Sequence, residues 1–157
     1  MITSPAILIV AAAAMLLVAA CGGSDDGPSR AAVAGAPDST SELAQLLRDR
    51  GFAVEEVGEV SDPFFSGTAL ELVANGDVVG TLEYTDPTEL LAEAKRIQPG
   101  GRKIETQVGD RVVVTDIAFN EPPHYFRSAH MIVMYVGSEP ALLAALEEAF
   151  GPQFAGE

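Results

Sequence analysis

The sequence predicts an α+β domain of two layers, a mostly antiparallel sheet with about three helices packed on it. Two observations carry this prediction. Apolar runs typical of strands are joined by short turn signals, of which Asn75-Gly76 is the strongest. Helix-start patterns stand apart from these runs, at Ser39, Asp86 and Ser138. The expected order is helix, three strands, helix, three or four strands, helix.

The first helix is predicted over about 40–50. Ser39 and Glu42 have the spacing of a capping box, and the leucines that follow fall on one face until Gly51, which suits a C-terminal cap. An extended stretch over about 52–60 comes next, with its glutamates as the solvated positions. The sequence therefore predicts an amphipathic helix that leads directly into the sheet.

A hairpin is predicted at Asn75-Gly76, because both residues tolerate the positive φ angles of a two-residue turn. It joins strands over 68–74 and 77–84 and places Leu72 opposite Val79. Apolar residues then occur on both faces of the hairpin. We expect it to lie centrally in a sheet that is covered on each side over part of its length.

A second helix is predicted from Asp86, with Pro87 at its first position, to Pro99-Gly100-Gly101. A further hairpin over 103–119 follows, with its turn at Gly109-Asp110. These signals place the second helix between two groups of strands.

The C-terminal part begins at His124 and contains the run 130–136, predicted to be the most buried strand. A two-residue turn at Ser128-Ala129 would pair His124 with Val133. Ser138 is the predicted cap of the last helix, and the ring of Phe154 is expected to return to the core.

The N-terminal segment has the form of a signal peptide. Ala6 to Ala20 is apolar, uncharged and about 15 residues long, shorter than the roughly 20 residues that cross a bilayer as a helix. Residues 18–21 read Val-Ala-Ala-Cys, and Cys21 is the only cysteine. The n-region, residues 1–5, holds no Lys or Arg, so a plain secretory signal and an uncleaved anchor helix remain alternatives.

These residues resemble the lipobox of bacterial lipoproteins, an aliphatic residue, two small residues and a cysteine. The resemblance implies that residues 1–20 are removed and that Cys21 carries a diacylglycerol, often with an N-terminal acyl chain such as palmitate. Two or three acyl chains anchor firmly where one would be marginal. We therefore expect a lipid-anchored protein on the cell membrane or outer membrane, facing the periplasm or the exterior.

Composition divides the mature chain into a tether and one domain. Residues 21–37 are rich in Gly, Ser, Ala and Pro without hydrophobic period, as in flexible linkers, and residues 38–157 suffice for a single core. The net charge of −14 argues against nucleic-acid binding and suits a soluble exported domain. With Cys21 lipidated, no thiol remains for catalysis or for a metal.

The chain carries no recognisable catalytic motif. His124 and His130 are its only histidines, and no carboxylate completes a zinc or copper spacing with them. Ser66 is the least poor nucleophile candidate, but it lacks the elbow motif of serine hydrolases. We expect no cofactor, no metal and no catalytic residues.

Two aromatic segments near chain reversals are the candidate binding loops. Their residues are Phe64, Phe65, His124, Tyr125 and Phe126. The alternative is that these rings merely close the ends of the sheet. Residues 123–126, residues 132–137 and Leu146 with residues 150–156 also resemble the C-terminal half of a family of small uncharacterised bacterial lipoproteins, which implies no activity.

The leading hypothesis is a non-enzymatic envelope domain that binds a protein or a small ligand through these loops. The competing hypothesis is a small metal-handling protein or hydrolase that uses His124. A purely structural envelope role is the third.

Overall fold

The computed structural model describes residues 35–157. Three helices and seven strands follow the predicted order, and an eighth, short strand comes after the last helix. They are α1 (Thr40–Asp49), β1 (Val54–Glu59), β2 (Thr68–Ala74), β3 (Asp77–Glu83), α2 (Pro87–Arg96), β4 (Lys103–Val108), β5 (Arg111–Asp116), β6 (Pro123–Arg127), β7 (Met131–Val136), α3 (Pro140–Phe150) and β8 (Ala155–Gly156).

Six strands form one antiparallel sheet in the order β1-β2-β3-β7-β6-β8, while β4 and β5 form a separate two-stranded ribbon. The α+β prediction is confirmed. The order also shows why β7 is so buried, since it lies between β3 and β6 in the middle of the sheet.

The two faces of the sheet are covered unequally. On one face, here the α1/α3 face, leucines of α1 and α3 pack on Leu72, Val79 and Val133. On the opposite face, here the α2 face, the smaller cluster of Leu90 and its neighbours packs on Ala69, Leu82 and Ile132. Helix α2 thus adds a partial third layer, and part of the α2 face carries no helix.

Two of the three helices begin at the N-cap residues predicted from the sequence. Ser39 Oγ accepts from the Glu42 amide, and the Asp86 carboxylate accepts from Thr88. The prediction for α3 was wrong, because Glu139 and not Ser138 is its N-cap. Pro140 occupies the first helical position, which places the cap on the residue just before it.

The hairpin turns set the register of the sheet. Asn75 and Gly76 both have positive φ, 53° and 99°, and Leu72 pairs with Val79 as predicted. The pairing predicted for His124 was wrong: it faces Tyr135, not Val133. Four residues, 128–131, separate the paired ends Arg127 and Ile132, so the loop is longer than a two-residue turn.

The C-terminal segment returns to the sheet as expected. Strand β8 pairs with β6, and the Phe154 ring lies 6.2 Å from that of Tyr125. This return covers one end of the α2 face.

The predicted signal peptide and Cys21 lie outside the described residues, as does most of the predicted tether. At the end of the tether, Ala36 packs against the core and Pro37 is buried, so packing begins before residue 38. Within residues 35–157 no helix is long and apolar enough to cross a bilayer.

Candidate functional site

One row of paired residues crosses the α2 face of the sheet and forms the base of the site. Glu71 on β2 pairs with Gly80 on β3, Gly80 pairs with Met134 on β7, and Met134 pairs with Tyr125 on β6. Directly paired residues project to the same face. Because Gly80 has no side chain, the row contains a hollow between Glu71 and Met134.

A cavity of about 180 Å³ occupies this hollow. Its base is formed by strand residues that include Gly80, Met134 and Val136, and its wall by Phe65 and Tyr125. Val60 and Asp62, from the segment that leads into β2, also line it. The lining is therefore mainly apolar, with a small number of polar groups, as in small-molecule sites.

The wall segment is held in place by Asp62. Its Oδ1 accepts from the amides of Phe64 and Phe65, at 2.7 and 3.2 Å, and so fixes the turn that presents the Phe65 ring. Below the turn, the pKa of Tyr84 is raised by burial first, and then by the nearby carboxylates of Glu93, Glu89 and Asp62. The turn therefore lies next to the buried phenol of Tyr84, which stays neutral.

Arg96 of α2 holds the same segment from outside. Its guanidinium donates to the Phe64 carbonyl at 2.8 Å and lies 5.5 Å from the Phe65 ring centroid. It also donates to Thr106 on β4 at 3.0 Å and pairs with Glu93. One planar cation thus joins α2, the cavity wall and the β4–β5 ribbon.

The Tyr125 hydroxyl is the distinctive polar group of the cavity. The residue is 1% exposed, and its hydroxyl has no hydrogen-bond partner among residues 35–157. Burial raises the pKa of Tyr125 to about 12, and the negative charge of Asp62 adds to that rise. A buried hydroxyl of this kind is normally paired, so the lack of a partner sets Tyr125 apart from the other residues that line the cavity.

The charged residues that line the cavity are both acidic. Asp62 contributes one carboxylate and Glu71 the other, and none of the lining residues in the described chain is Lys or Arg. Glu71 is half-buried, and its carboxylate makes no hydrogen bond or ion pair within residues 35–157. The site therefore combines apolar walls with an uncompensated negative charge.

Of the five residues predicted to form binding loops, the structure brings two to the cavity, Phe65 and Tyr125. Phe64 lies beside them without lining it. The segment containing Tyr125, named from the sequence as a candidate binding loop, is strand β6, whose side chains alternate between faces. His124 and Phe126 therefore project to the α1/α3 face, where Phe126 packs near Phe150.

His124 is buried beside Tyr135, with both ring nitrogens engaged. Nδ1 lies 2.7 Å from Gln153 Oε1 and Nε2 lies 3.0 Å from the Gly137 carbonyl. Ser66 instead donates to Glu89 at 2.7 Å, next to α2. The two residues thus lie toward opposite faces of the sheet. Within the described chain, His, Cys, Asp and Glu side chains form no group of three that could hold a metal.

A second apolar feature lies away from the cavity. The β4–β5 ribbon exposes Val108, Val112, Val113 and Val114, each 46–60% exposed. In the described part of the chain, β5 has no strand neighbour on its outer edge. Open apolar edges are prone to association, so this ribbon is an association-prone surface.

The residues that sequence reasoning missed are Asp62, Glu71, Gly80 and Met134. One signal could have found two of them. The register that follows from Asn75-Gly76 places Gly80 opposite Glu71, and a glycine inside a strand often marks a close approach by a ligand or another chain.

No protein-family model, curated protein or solved structure matches this chain.

Proposed function

We propose that this protein is a lipid-anchored, non-enzymatic binding protein that holds a small apolar group in the cavity on the α2 face. Lipidated Cys21 tethers it to a bacterial membrane, facing the periplasm or the exterior. The domain that begins near residue 38 does the binding. Phe65 forms the apolar wall, and Tyr125 supplies the hydrogen bond that orients the group.

The observation that carries this proposal is the Tyr125 hydroxyl. It is buried at an apolar cavity and unpaired within residues 35–157. Leaving such a group unpaired costs about 1–3 kcal/mol, which a bound hydroxyl or amine would recover. If the side chain at position 125 served packing alone, phenylalanine would suffice there.

The size of the cavity limits what it can hold. A dry cavity of about 150 Å³ in another protein accepts one benzene ring. The cavity here, about 180 Å³, has room for a single ring with one substituent or for a short branched alkyl group. Of the two partners expected, a protein and a small ligand, this volume favours the small ligand or one side chain of a larger molecule.

The alternative, a metal-handling protein or hydrolase that uses His124, has less support. Both nitrogens of His124 already have partners within the domain, and Ser66 bonds to Glu89. No specific observation favours that alternative.

A ligand titration tests the binding proposal. Benzyl alcohol, a neutral single ring with one hydroxyl, is added to the full-length chain while the thermal midpoint is measured. Ligands that bind the folded state raise the midpoint with concentration. Gly80→Val fills the hollow and is expected to abolish the rise. Gly100→Val is the matched control, because a side chain there meets no atom within 4 Å.

Two results would contradict binding in the cavity. One is a thermal midpoint that does not rise for the unmodified chain at millimolar benzyl alcohol. The other is an equal rise in Gly80→Val and in the unmodified chain, since the ring would then bind elsewhere.

The anchor is tested separately, by intact mass of the protein from its native membrane. We expect loss of residues 1–20 and a gain of diacylglycerol, both abolished by Cys21→Ser. An uncleaved, unmodified chain would overturn the lipoprotein interpretation and leave the cavity proposal unaffected.

A further inference from the structure

We propose that the group held in the cavity carries a positive charge: the ligand class is a small apolar amine, protonated at neutral pH. This inference rests on the proposed function, because it assigns a charge to the same bound group. Its basis is the combination of two carboxylates and one unpaired phenol around an apolar hollow.

Glu71 supplies the first of the two carboxylates. Its neighbours in the row are both glycines, Gly58 on β1 and Gly80 on β3, so no flanking side chain in the row covers it. It is half-buried, and its carboxylate makes no hydrogen bond or ion pair within residues 35–157. A carboxylate that is partly removed from water without a cation is costly, and a bound ammonium group would offset that cost.

Asp62 supplies the second carboxylate, because it lines the same cavity as Glu71. Its Oδ1 is occupied by the loop amides of Phe64 and Phe65. Its negative charge also raises the pKa of Tyr125, so the charge of Asp62 acts on the phenol. A group at the Tyr125 hydroxyl therefore experiences the field of Asp62, which favours a cation and disfavours an anion.

The Tyr125 hydroxyl is the third polar group of the site. The phenol of Tyr125 is unpaired, and a phenol oxygen can accept a hydrogen bond from an N–H group. An ammonium group has donors only. Apolar walls, two negative charges and a free acceptor together match an alkyl or aryl ammonium ion.

Arg96, which packs on the cavity wall, does not neutralise this charge. Arg96 is the cation packed on Phe65, and its donors are used by Glu93, by the Phe64 and Glu105 carbonyls and by Thr106. The negative charge at Glu71 is therefore left for the ligand.

The test compares three single-ring probes of similar size at pH 7 and low salt: benzylamine, benzyl alcohol and benzoate. Their affinities for the full-length chain are measured by titration calorimetry. We expect benzylamine to bind about tenfold more tightly than benzyl alcohol, as for a partly screened charge pair, and benzoate not to bind. The advantage of benzylamine is expected to shrink as salt is added.

Two charge-removing variants locate the effect. Asp62→Asn retains the oxygen that accepts from the loop amides, and Glu71→Gln disturbs no hydrogen bond. In the double variant benzylamine should bind no better than benzyl alcohol. Glu147→Gln, an exposed position on α3 at the opposite face, makes the same single-charge change as Glu71→Gln and should retain the preference.

The outcomes separate this inference from the proposed function. Equal binding of benzylamine and benzyl alcohol, or tighter binding of benzoate, overturns the positive charge and leaves the cavity as a neutral site. A preference that survives the double variant also overturns it. If none of the three probes binds, the proposed function itself fails, and the inference fails with it.

Discussion

Glu71 and Tyr125 lie in one row across the sheet, separated only by Gly80 and Met134. Three strand spacings of about 4.8 Å separate their Cα atoms, and both residues line the cavity that lies over Gly80 and Met134. The carboxylate of one and the hydroxyl of the other are without partners in the described chain. The glycine between them provides the space.

Tyr125→Phe and Tyr135→Phe are expected to differ in their effect on stability. The first removes an unpaired hydroxyl, so the free energy of unfolding should stay constant or rise by up to about 1 kcal/mol. The second removes a hydroxyl that accepts from the Glu139 amide at 3.1 Å, so stability should fall by about 1 kcal/mol. Urea unfolding measures both. A loss of more than 1 kcal/mol in Tyr125→Phe would mean that its hydroxyl is paired in the folded protein.

Two glycine substitutions near the cavity should differ. An alanine Cβ at Gly67 would lie 2.7 Å from Tyr84 Cζ and 3.0 Å from the Glu83 carbonyl, so Gly67→Ala should destabilise by about 1–3 kcal/mol. At Gly80 the closest atom is Met134 Cε at 3.5 Å, so Gly80→Ala should be neutral or stabilising by about 0.5 kcal/mol. Thermal unfolding of the two variants provides the comparison. Equal losses would contradict the hollow at Gly80.

Asp62→Ala should loosen the cavity wall, whereas Asp62→Asn should not. Alanine removes the acceptor for the amides of Phe64 and Phe65, while asparagine keeps an oxygen at the same position. Hydrogen exchange at these two amides is expected to accelerate about tenfold or more in Asp62→Ala only, which corresponds to about 1.4 kcal/mol of local opening. Equal exchange rates in both variants would show that the turn does not depend on this side chain.

The tyrosines should ionise late. Burial is the first cause that raises the pKa of each of Tyr84, Tyr125 and Tyr135, and that of Tyr125 reaches about 12. Because the folded-state pKa lies above the ordinary value, the contribution of Tyr125 to stability is complete below about pH 10 and is lost as pH rises toward 12. Tyrosinate absorbance at 295 nm should therefore stay low at pH 10 and rise together with unfolding. Substantial ionisation at pH 10 in the folded protein would contradict this.

Much of the fold could be predicted because its signals are local. Asn75-Gly76 sets the central hairpin register, and Ser39 and Asp86 start their helices. The N-cap of α3 lies one residue after the predicted Ser138, because the proline that follows Glu139 fixes the first turn. The pairing of His124 failed because the loop length could not be read from Ser128-Ala129.

The site could be predicted only in part, because it depends on the pairing of distant strands. Phe65 and Tyr125 attract attention as aromatic residues, but only the β6–β7 and β3–β7 pairings bring Tyr125 and Gly80 into the same row. Those strands are distant in sequence, and no local turn signal joins β3 to β7. The same pairing directs His124 to the other face, which a loop interpretation of that segment could not foresee.

The most direct test of the binding cavity uses methionine methyl groups as reporters. Met134 lines the cavity, whereas Met131 is buried on the α1/α3 face of the same strand and serves as an internal control. The full-length chain is labelled with ¹³C-methyl methionine and titrated with benzylamine, and Met134→Leu assigns the signal. We expect the Met134 methyl to shift and to show contacts to the ring protons, while Met131 is unchanged. A Met134 signal that stays in place when the probe is in excess, or equal shifts of both methyls, would contradict a binding site in this cavity.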